Sequence, residues 1–173
     1  MTATTDIQPK GVQRDSDVQP EELLVDFLNT IDVELGTDVL ASEVDYRRWA
    51  LDHGVEPGDL NEARGIRSAL RDLVCGESCT LPEVSLRTIA APHGVLLEGD
   101  TAAQSAVAIA TVLTIQGRMG RVKLCPTEDC RMAFYDRSRN SSRTWCTMAV
   151  CGNRVKARTF RNKSDALGES ESA

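Results

Sequence analysis

The sequence predicts a mainly α-helical protein with a small β-hairpin, in which a helical N-terminal domain precedes a C-terminal module that contains four cysteines. Between residues 20 and 118, apolar side chains recur every three or four residues, as on the buried face of a helix. Two short runs with interleaved apolar residues flank the turn sequence Pro92-His93-Gly94, which favours a hairpin. Four of the six cysteines lie close together after residue 124.

The predicted helices begin with one at Pro20, because proline at an early position and the acidic pair after it favour a helix start. Ser42 is expected to begin a second helix, in which Val44, Trp49 and Leu51 pack inward. A long amphipathic helix follows Asp59. Residues 81–98 are expected to form the hairpin, and residues 101–118 an alanine-rich helix that is buried at the centre of the domain. The predicted divisions are a flexible arm at 1–19, a helical domain at 20–118, a cysteine module at 119–163 and an acidic flexible tail at 164–173.

Three arginines of the long helix, Arg64, Arg67 and Arg71, recur every three or four residues and so share one face. Such a row usually pairs with nearby carboxylates on a solvated face, which is the simpler interpretation. The alternative is a site for a small-molecule effector, to which Asn29, Arg64 and Arg67 would contribute. For Asn29 the simpler interpretation is that it caps the end of the first helix.

The C-terminal cysteines are spaced as two equal pairs. Four residues separate Cys125 from Cys130, four separate Cys146 from Cys151, and fifteen lie between the pairs. Two short cysteine loops joined by a longer excursion can supply four thiolates to one tetrahedral Zn²⁺. The ion would replace a hydrophobic core in a segment too short to build one. The sequence therefore predicts a four-cysteine zinc-finger module whose ligands are Cys125, Cys130, Cys146 and Cys151.

The same cysteines could instead form two disulfide bonds or remain unrelated thiols. Disulfides belong mainly to exported proteins, and the opening sequence MTATTDIQPKG has neither the basic nor the apolar region of an export signal. No apolar run approaches the roughly 18–20 residues of a membrane span. We therefore expect a cytoplasmic protein with a metal site. An all-thiolate ligand set favours zinc, although iron accepts the same ligands.

Charge is segregated along the chain. Residues 1–117 contain 8 Lys/Arg and 20 Asp/Glu, a net charge of −12, whereas residues 118–163 contain 12 and 3, a net charge of +9. Residues 164–173 add −3, which gives the total of −6. An acidic body that carries a basic module is the electrostatic pattern of a protein that binds a phosphate backbone. Double-stranded DNA is therefore the predicted partner.

The residues expected to contact DNA lie in two segments. The loop around Asn140 is poor in apolar residues and rich in groups that bond to phosphate oxygens. A helix predicted over 143–162 would place Trp145 and Met148 on the metal side and project its cations outward, where Arg and Asn can read base edges. Alternatively, Arg139, Asn140 and Arg154 tie the loops of the finger together. The predicted nucleic-acid-binding residues are Arg137, Arg139, Asn140, Ser141, Arg143, Asn153, Arg154, Lys156, Arg158 and Arg161.

These residues resemble a known family. The runs Ser-Arg-Asn at 138–140, Arg-Thr-Trp-Cys at 143–146 and Cys-Gly-Asn-Arg at 151–154 are similar to the CGNR zinc finger of bacterial proteins. In that family the finger follows an N-terminal ABATE domain, which Asp-Phe-Leu-Asn-Thr at 26–30 and the arginine-rich helix also resemble. The resemblance implies a stress-induced transcription regulator. Its ABATE-like domain at 20–118 would sense an effector or form a homodimer, while the CGNR-type finger at 119–163 binds DNA.

Other classes of function stay open. The finger could bind RNA, although it lacks the row of aromatic residues on which single-stranded bases stack. It could also be a protein-interaction or structural module whose positive charge pairs with the acidic body of the same chain. An enzyme is the least favoured class, because four ligating cysteines leave no open zinc position and the two histidines lie at turns without a nucleophile arrangement.

Overall fold

The computed structural model of the chain describes residues 19–170, with side chains as far as Arg161. Five α-helices occur in this part of the chain: α1 (Pro20–Leu28), α2 (Glu43–Asp52), α3 (Leu60–Cys75), α4 (Ala102–Ile115) and α5 (Asn153–Ser170). Six short strands form antiparallel pairs: β1 (Ile31–Asp32) with β2 (Thr37–Asp38), β3 (Arg87–Ala91) with β4 (Gly94–Glu98), and β5 (Val122–Leu124) with β6 (Ala133–Tyr135). Because 48% of the residues described by the structure are helical, the mainly α prediction holds only loosely.

The starts of the helices follow from their capping residues. Ser42 Oγ accepts a hydrogen bond from the Asp45 N–H at 3.3 Å, and Asp59 Oδ1 accepts one from the Glu62 N–H at 2.8 Å. Each bond satisfies a backbone donor that has no partner within its helix. Helix α3 ends at Gly76, whose φ of 76° is the left-handed conformation that glycine adopts without steric cost.

The hydrophobic core lies where α1, α3 and α4 meet. Leu24 and Phe27 of α1 and Ile66 of α3 are fully buried. Helix α4 is buried as predicted, and its small residues Ala103 and Ala106 allow α1 to approach it closely. No helix in residues 19–170 is both long and apolar enough to cross a membrane.

The prediction for the inward face of α2 is wrong at two of its three positions. Trp49 packs against the rings of Phe27 and Tyr46, with centroids 6.1 and 6.5 Å apart. Val44 and Leu51, however, are 65% and 79% exposed. The residues that α2 buries are Tyr46 and Ala50, one helical turn apart. A helix rotates by about 100° per residue, which turns Val44 and Leu51 away from the side that Tyr46 and Ala50 bury.

Two of the three arginines of the α3 row, Arg67 and Arg71, face the protein, which corrects the solvated-face interpretation at these positions, whereas Arg64 is exposed. Arg67 is only 8% exposed and is bonded to Asp38 of β2. Arg71 donates to the carbonyl oxygens of Leu28 and Arg131, at 2.8 and 2.9 Å. Such carbonyls, beyond the end of a helix or within a loop, have no regular backbone partner. The guanidinium groups satisfy them.

The hairpin β5–β6 belongs to the same core as the helical body. Val122, Ala133 and Tyr135 pack in one cluster with the buried residues of α1, α3 and α4. The side chain of Asn29, which follows α1, bonds to both backbone groups of Ala133: Oδ1 accepts from the N–H at 2.7 Å, and Nδ2 donates to the carbonyl at 3.0 Å. One core therefore continues across the predicted boundary at residues 118 and 119.

We expect Asn29→Asp to lower the free energy of unfolding by about 1–3 kcal/mol, the cost of leaving buried polar groups unsatisfied. The change removes the amide donor and places a carboxylate against the Ala133 carbonyl oxygen. Urea denaturation of the metal-loaded protein measures the difference. Asn140→Asp, the same change at an exposed loop position, is the control and should cost less than about 0.5 kcal/mol. Equal stability of the two variants would contradict the assigned contact.

Candidate metal centre

The sulfur atoms of Cys125, Cys130, Cys146 and Cys151 form one compact cluster. All four Sγ atoms lie within 4.8 Å of one another. The Sγ of Cys146 lies 3.5 Å from the Sγ of Cys130 and 3.5 Å from that of Cys151. Four sulfurs bound at about 2.3 Å to a tetrahedral Zn²⁺ lie about 3.8 Å apart. The predicted ligand set therefore fits a single tetrahedral ion.

The first two cysteines are held by a tight turn between β5 and β6. The Cys125 N–H donates to the Met132 carbonyl at 2.8 Å, which closes the turn at its base. The N–H groups of Cys130 and Arg131 both donate to the Thr127 carbonyl, at 2.9 and 3.1 Å. Arg131 has a φ of 53°, a left-handed conformation that is uncommon for a residue with a side chain. The hairpin thus turns both thiols toward one point.

The second pair lies before α5 rather than within it, which corrects the helix predicted over 143–162. Helix α5 begins at Asn153, and residues 148–152 form a single wide π-type turn that carries Cys151. Trp145 packs against the cysteine cluster as predicted. Met148 is 49% exposed and rests against Gly152, where an added Cβ would lie 2.4 Å from the Met148 sulfur. The wide turn brings Cys151 back toward Cys146 before the regular helix starts.

The thiols differ in their readiness to ionise. Burial opposes ionisation of Cys125, but hydrogen bonds from the backbone of Cys146 and from Thr127 lower its pKa to about 7. Burial raises the pKa of both Cys130 and Cys151, and hydrogen bonding with the neighbouring thiol of Cys146 raises them further. Four thiolates repel one another at this distance unless a cation neutralises them. The donor set is therefore one that a bound divalent metal completes.

The alternative of disulfide bonding does not describe this cluster. All six cysteines of the chain are free, and the 3.5 Å sulfur separations exceed the roughly 2.05 Å of a disulfide bond. Cys75 and Cys79 lie outside the cluster. Four thiolates from these cysteines would fill the tetrahedral coordination sphere of one ion, as in structural zinc sites.

Several of the cations predicted to bind nucleic acid contact carboxylates of the chain. The Arg137 guanidinium lies 3.1 Å from Glu22 of α1, and that of Arg154 lies 2.5 Å from Glu34 between β1 and β2. Glu34 raises the pKa of Arg154 through this hydrogen bond. Arg158 lies 3.0 Å from Asp129 between the first two cysteines. These pairs are exposed to solvent, where an ion pair contributes little and salt weakens it.

Other predicted residues hold the module itself together. Arg143 donates to the carbonyls of Trp145 and Cys146 and lies over the ring of Phe134, 4.7 Å from its centroid. The Asn153 side chain donates to the Ala149 carbonyl at 3.0 Å, which braces the wide turn. The Ser141 carbonyl accepts a hydrogen bond from Lys123. These contacts lie within the module, whereas Arg154, for which a tie between loops was the alternative, pairs with Glu34 outside it.

Arg139, Asn140, Lys156 and Arg161 form a third group, because their side chains are exposed. Arg139 and Asn140 make no hydrogen bond or ion pair with their side chains in residues 19–161. They lie at the tip of the loop that joins β6 to the second cysteine pair. Both side chains are therefore accessible to a ligand.

The residues predicted for an effector site each bond to a different part of the chain. Asn29 bonds to Ala133, and Arg67 bonds to Asp38 and Thr30. Arg64 donates to the carbonyls of Leu40 and Ala41, at 2.7 and 3.2 Å. An open cleft of about 600 Å³ lies elsewhere, between the end of α3, β5 and the loop at 141–144. The effector site at these three residues stays a prediction.

Two residues of this region, Lys123 and Asp136, were not predicted as functional. Asp136 is completely buried, and its carboxylate lies 2.7 Å from the Lys123 ammonium group. Burial opposes its ionisation, but the bonds from Lys123, Ser138 and Arg143 hold the pKa of Asp136 well below its usual range. Asp136 could have been found from its position in the sequence. It is an acidic residue directly after the apolar run Ala133–Tyr135, within a strongly basic segment.

Comparison with known proteins found a match for the C-terminal segment of the chain. No curated protein sequence matches the chain. The sequence model of one family does match it, over a range that begins just before β5 and ends within α5. This range contains all four clustered cysteines and the loop between the pairs. Residues 121–164, the segment that holds the metal centre, match the CGNR zinc finger family.

Proposed function

We propose that this protein is a zinc-containing, DNA-binding transcription regulator. The observation that carries the proposal is the segregation of charge: the segment at 118–163 has a net charge of +9, and residues 1–117 have −12. A basic module supported by an acidic body can approach a polyanion while the body is repelled from it. The four-cysteine finger supplies the rigid frame that presents these cations.

Two parts of the finger would contact DNA. The loop tip with Arg139 and Asn140 is exposed and carries the side chains that bond to phosphate oxygens and to base edges. Helix α5 adds the exposed cations Lys156, Arg158 and Arg161 along its first turns. Because an exposed ion pair contributes little, DNA phosphates can displace Glu22 from Arg137 and Glu34 from Arg154. The binding surface would then include most of the predicted set.

A salt series tests this function. If about six to ten cations contact phosphates, affinity for double-stranded DNA should fall by roughly 10³–10⁵ between 50 and 200 mM salt. Arg139→Ala should weaken binding and reduce the slope of log affinity against log salt by about 1. Fluorescence anisotropy of zinc-loaded protein with labelled DNA from its own promoter region measures both quantities.

The control for the salt series is Arg47→Ala, which removes an exposed cation from α2 in the acidic body. It should leave both affinity and slope unchanged. Metal content is measured for every variant, so that loss of fold is separated from loss of contact. A flat salt response, or equal effects of the two substitutions, would contradict binding through the finger.

A second candidate is a zinc-stabilised protein-interaction or structural module. The contacts of Arg137 with Glu22 and of Arg154 with Glu34 favour it, since they join the finger to the body of the same chain. This function predicts no binding to DNA at any salt concentration while one zinc per chain is retained. Parallel titrations with single-stranded RNA test the remaining alternative, in which RNA binds more tightly than duplex DNA.

The role proposed for the N-terminal body rests on its resemblance to the ABATE domain. In a bacterial cytoplasmic regulator it would sense a small-molecule effector or form a homodimer, and the protein would not act as an enzyme. Sedimentation at several protein concentrations distinguishes the two roles, because a concentration-dependent mass supports the homodimer. A constant monomer mass directs attention to an effector.

A further inference from the structure

The loop between β6 and the second cysteine pair, residues 137–143, is closed by one buried carboxylate. Asp136 Oδ1 accepts a hydrogen bond from the Ser138 N–H at 2.9 Å, and Oδ2 accepts one from the Arg143 N–H at 2.9 Å. The two ends of the loop are therefore bonded to the same side chain. Asp136 is 0% exposed, so water does not compete for these bonds.

Two cations from the other side of the hairpin complete the closure. The Lys123 ammonium group donates to Asp136 Oδ2 at 2.7 Å and to the carbonyls of Ser141 and Arg143, at 2.7 and 3.0 Å. These three bonds use all the donors of an ammonium group. Arg121 Nη1 donates to the carbonyls of Asp136 and Ser138, both at 2.8 Å. Both cations are thus committed to the loop backbone.

The interior of the loop is also bonded to itself. The Ser141 N–H donates to the Ser138 carbonyl at 3.2 Å, and the Ser142 N–H donates to Ser138 Oγ at 2.9 Å. Ser141 has a φ of 51°, a left-handed conformation that costs energy in a residue with a side chain. Such a conformation persists only where the surrounding bonds impose it. The loop is therefore held in one shape without an apolar anchor of its own.

Unlike the loop backbone, the side chains at the tip of the loop are not held by hydrogen bonds to the residues that the structure describes. Arg139 and Asn140 are exposed and make no hydrogen bond or ion pair with their side chains in the part of the chain whose side chains the structure describes. A surface loop of polar residues is usually mobile, and ordering it on binding costs free energy. Here the buried ties fix the backbone in advance while the two tip side chains remain available. This combination is expected of a pre-organised binding loop.

We propose that Asp136 and Lys123 are positioning residues for DNA binding, which hold the loop at 137–143 in the conformation that presents Arg139 and Asn140. The inference rests on the proposed function. Neither positioning residue contacts DNA in this scheme, since both are occupied beneath the loop. Their contribution is to remove the cost of ordering it.

Charge allows a sharp test, because Asp136→Asn makes the finger more positive by one. If only the net charge of the finger matters, the variant should bind DNA more tightly than wild type. Positioning predicts the opposite: affinity falls about tenfold, because the free-energy cost of ordering the loop is then incurred on binding. The salt slope stays unchanged, since no phosphate contact is removed. Asp129→Asn is the matched control, because it makes the same charge change in an exposed carboxylate and should bind at least as tightly as wild type.

Hydrogen exchange of the loop amides, measured without DNA, gives a second readout. In Asp136→Asn the N–H groups of Arg143 and Ser138 should exchange at least about tenfold faster than in wild type, since their acceptor is weakened. If this variant loses its metal, Ser138→Ala replaces it. That change removes the acceptor for Ser142 and the hydroxyl that hydrogen-bonds to Asp136, and it leaves the charge untouched. It should weaken DNA binding severalfold with an unchanged salt slope.

The outcomes separate the two proposals. If wild type binds DNA and metal-loaded Asp136→Asn binds as tightly or more tightly, the positioning role is overturned while the proposed function stands. If wild type does not bind DNA, both are overturned. Weaker binding by Asp136→Asn, tighter or equal binding by Asp129→Asn and faster exchange in the loop would together support the inference.

Discussion

Removal of the metal is expected to unfold the cysteine module and to destabilise the helical body with it. Structural zinc sites supply roughly 10–16 kcal/mol of apparent binding free energy near neutral pH, whereas whole domains are stable by only about 5–15 kcal/mol. The β5–β6 hairpin holds the first two cysteines, and its residues Val122, Ala133 and Tyr135 are part of the hydrophobic core of the helical body. Loss of order at Cys125 and Cys130 therefore reaches the packing of α1 and α3.

The measurement is thermal unfolding of the protein with and without a strong zinc chelator, with elemental analysis of the starting material. We expect one zinc per chain, a large drop in melting temperature on chelation, and rapid hydrogen exchange at Ala133 and Tyr135. Cys125→Ser should behave like the chelated protein. Cys79→Ser is the control, because this thiol lies outside the cluster and its loss should leave metal content unchanged. Six titratable thiols in the untreated protein, instead of the two of Cys75 and Cys79, would disprove stoichiometric metal.

Arg67→Met is expected to be the most destabilising single change in the body. Arg67 donates to both carboxylate oxygens of Asp38 and, at 3.0 Å, to the Thr30 hydroxyl. The bond from Arg67 lowers the pKa of Asp38 despite partial burial of the carboxylate. Methionine fills similar volume but leaves the Asp38 carboxylate with only the Leu40 N–H as a donor and removes the donor to the Thr30 hydroxyl. Breaking such a pair costs about 3–5 kcal/mol, or roughly 6–20 °C in melting temperature for a chain of this size.

A matched exposed pair provides the control for this prediction. Arg47 lies 2.9 Å from Glu43 on α2, and its side chain is 65% exposed. Arg47→Met should cost less than about 0.5 kcal/mol, because water solvates both partners. The double variant Arg67→Met with Asp38→Asn should recover part of the stability, since the unpaired charge is then absent. Similar losses for the two arginine substitutions would show that Arg67 is not a buried anchor.

The sequence alone determined the features that depend on near neighbours in the chain. The spacing of Cys125, Cys130, Cys146 and Cys151 predicted the cluster, because short loops limit where paired thiols can lie. Ser42 was predicted to begin α2, because a serine just before a helix can accept a hydrogen bond from the unpaired N–H three residues later. The turn at Pro92-His93 was predicted in the same way and joins β3 to β4. Charge segregation is a property of composition and needs no fold.

Only the tertiary structure decided which polar side chains contact each other across long stretches of sequence. Many side chains of the same type could have formed each of these contacts. Asn29 bonds to Ala133, 104 residues away, and no local pattern distinguishes this amide from one that caps a helix. Arg67 is buried against Asp38, whereas spacing placed it on a solvated row. Asp136 became a candidate only once both ends of its loop were seen to share its carboxylate. Local spacing restricts the geometry of a short segment, but long-range partners depend on how the helices and the finger pack around their common core.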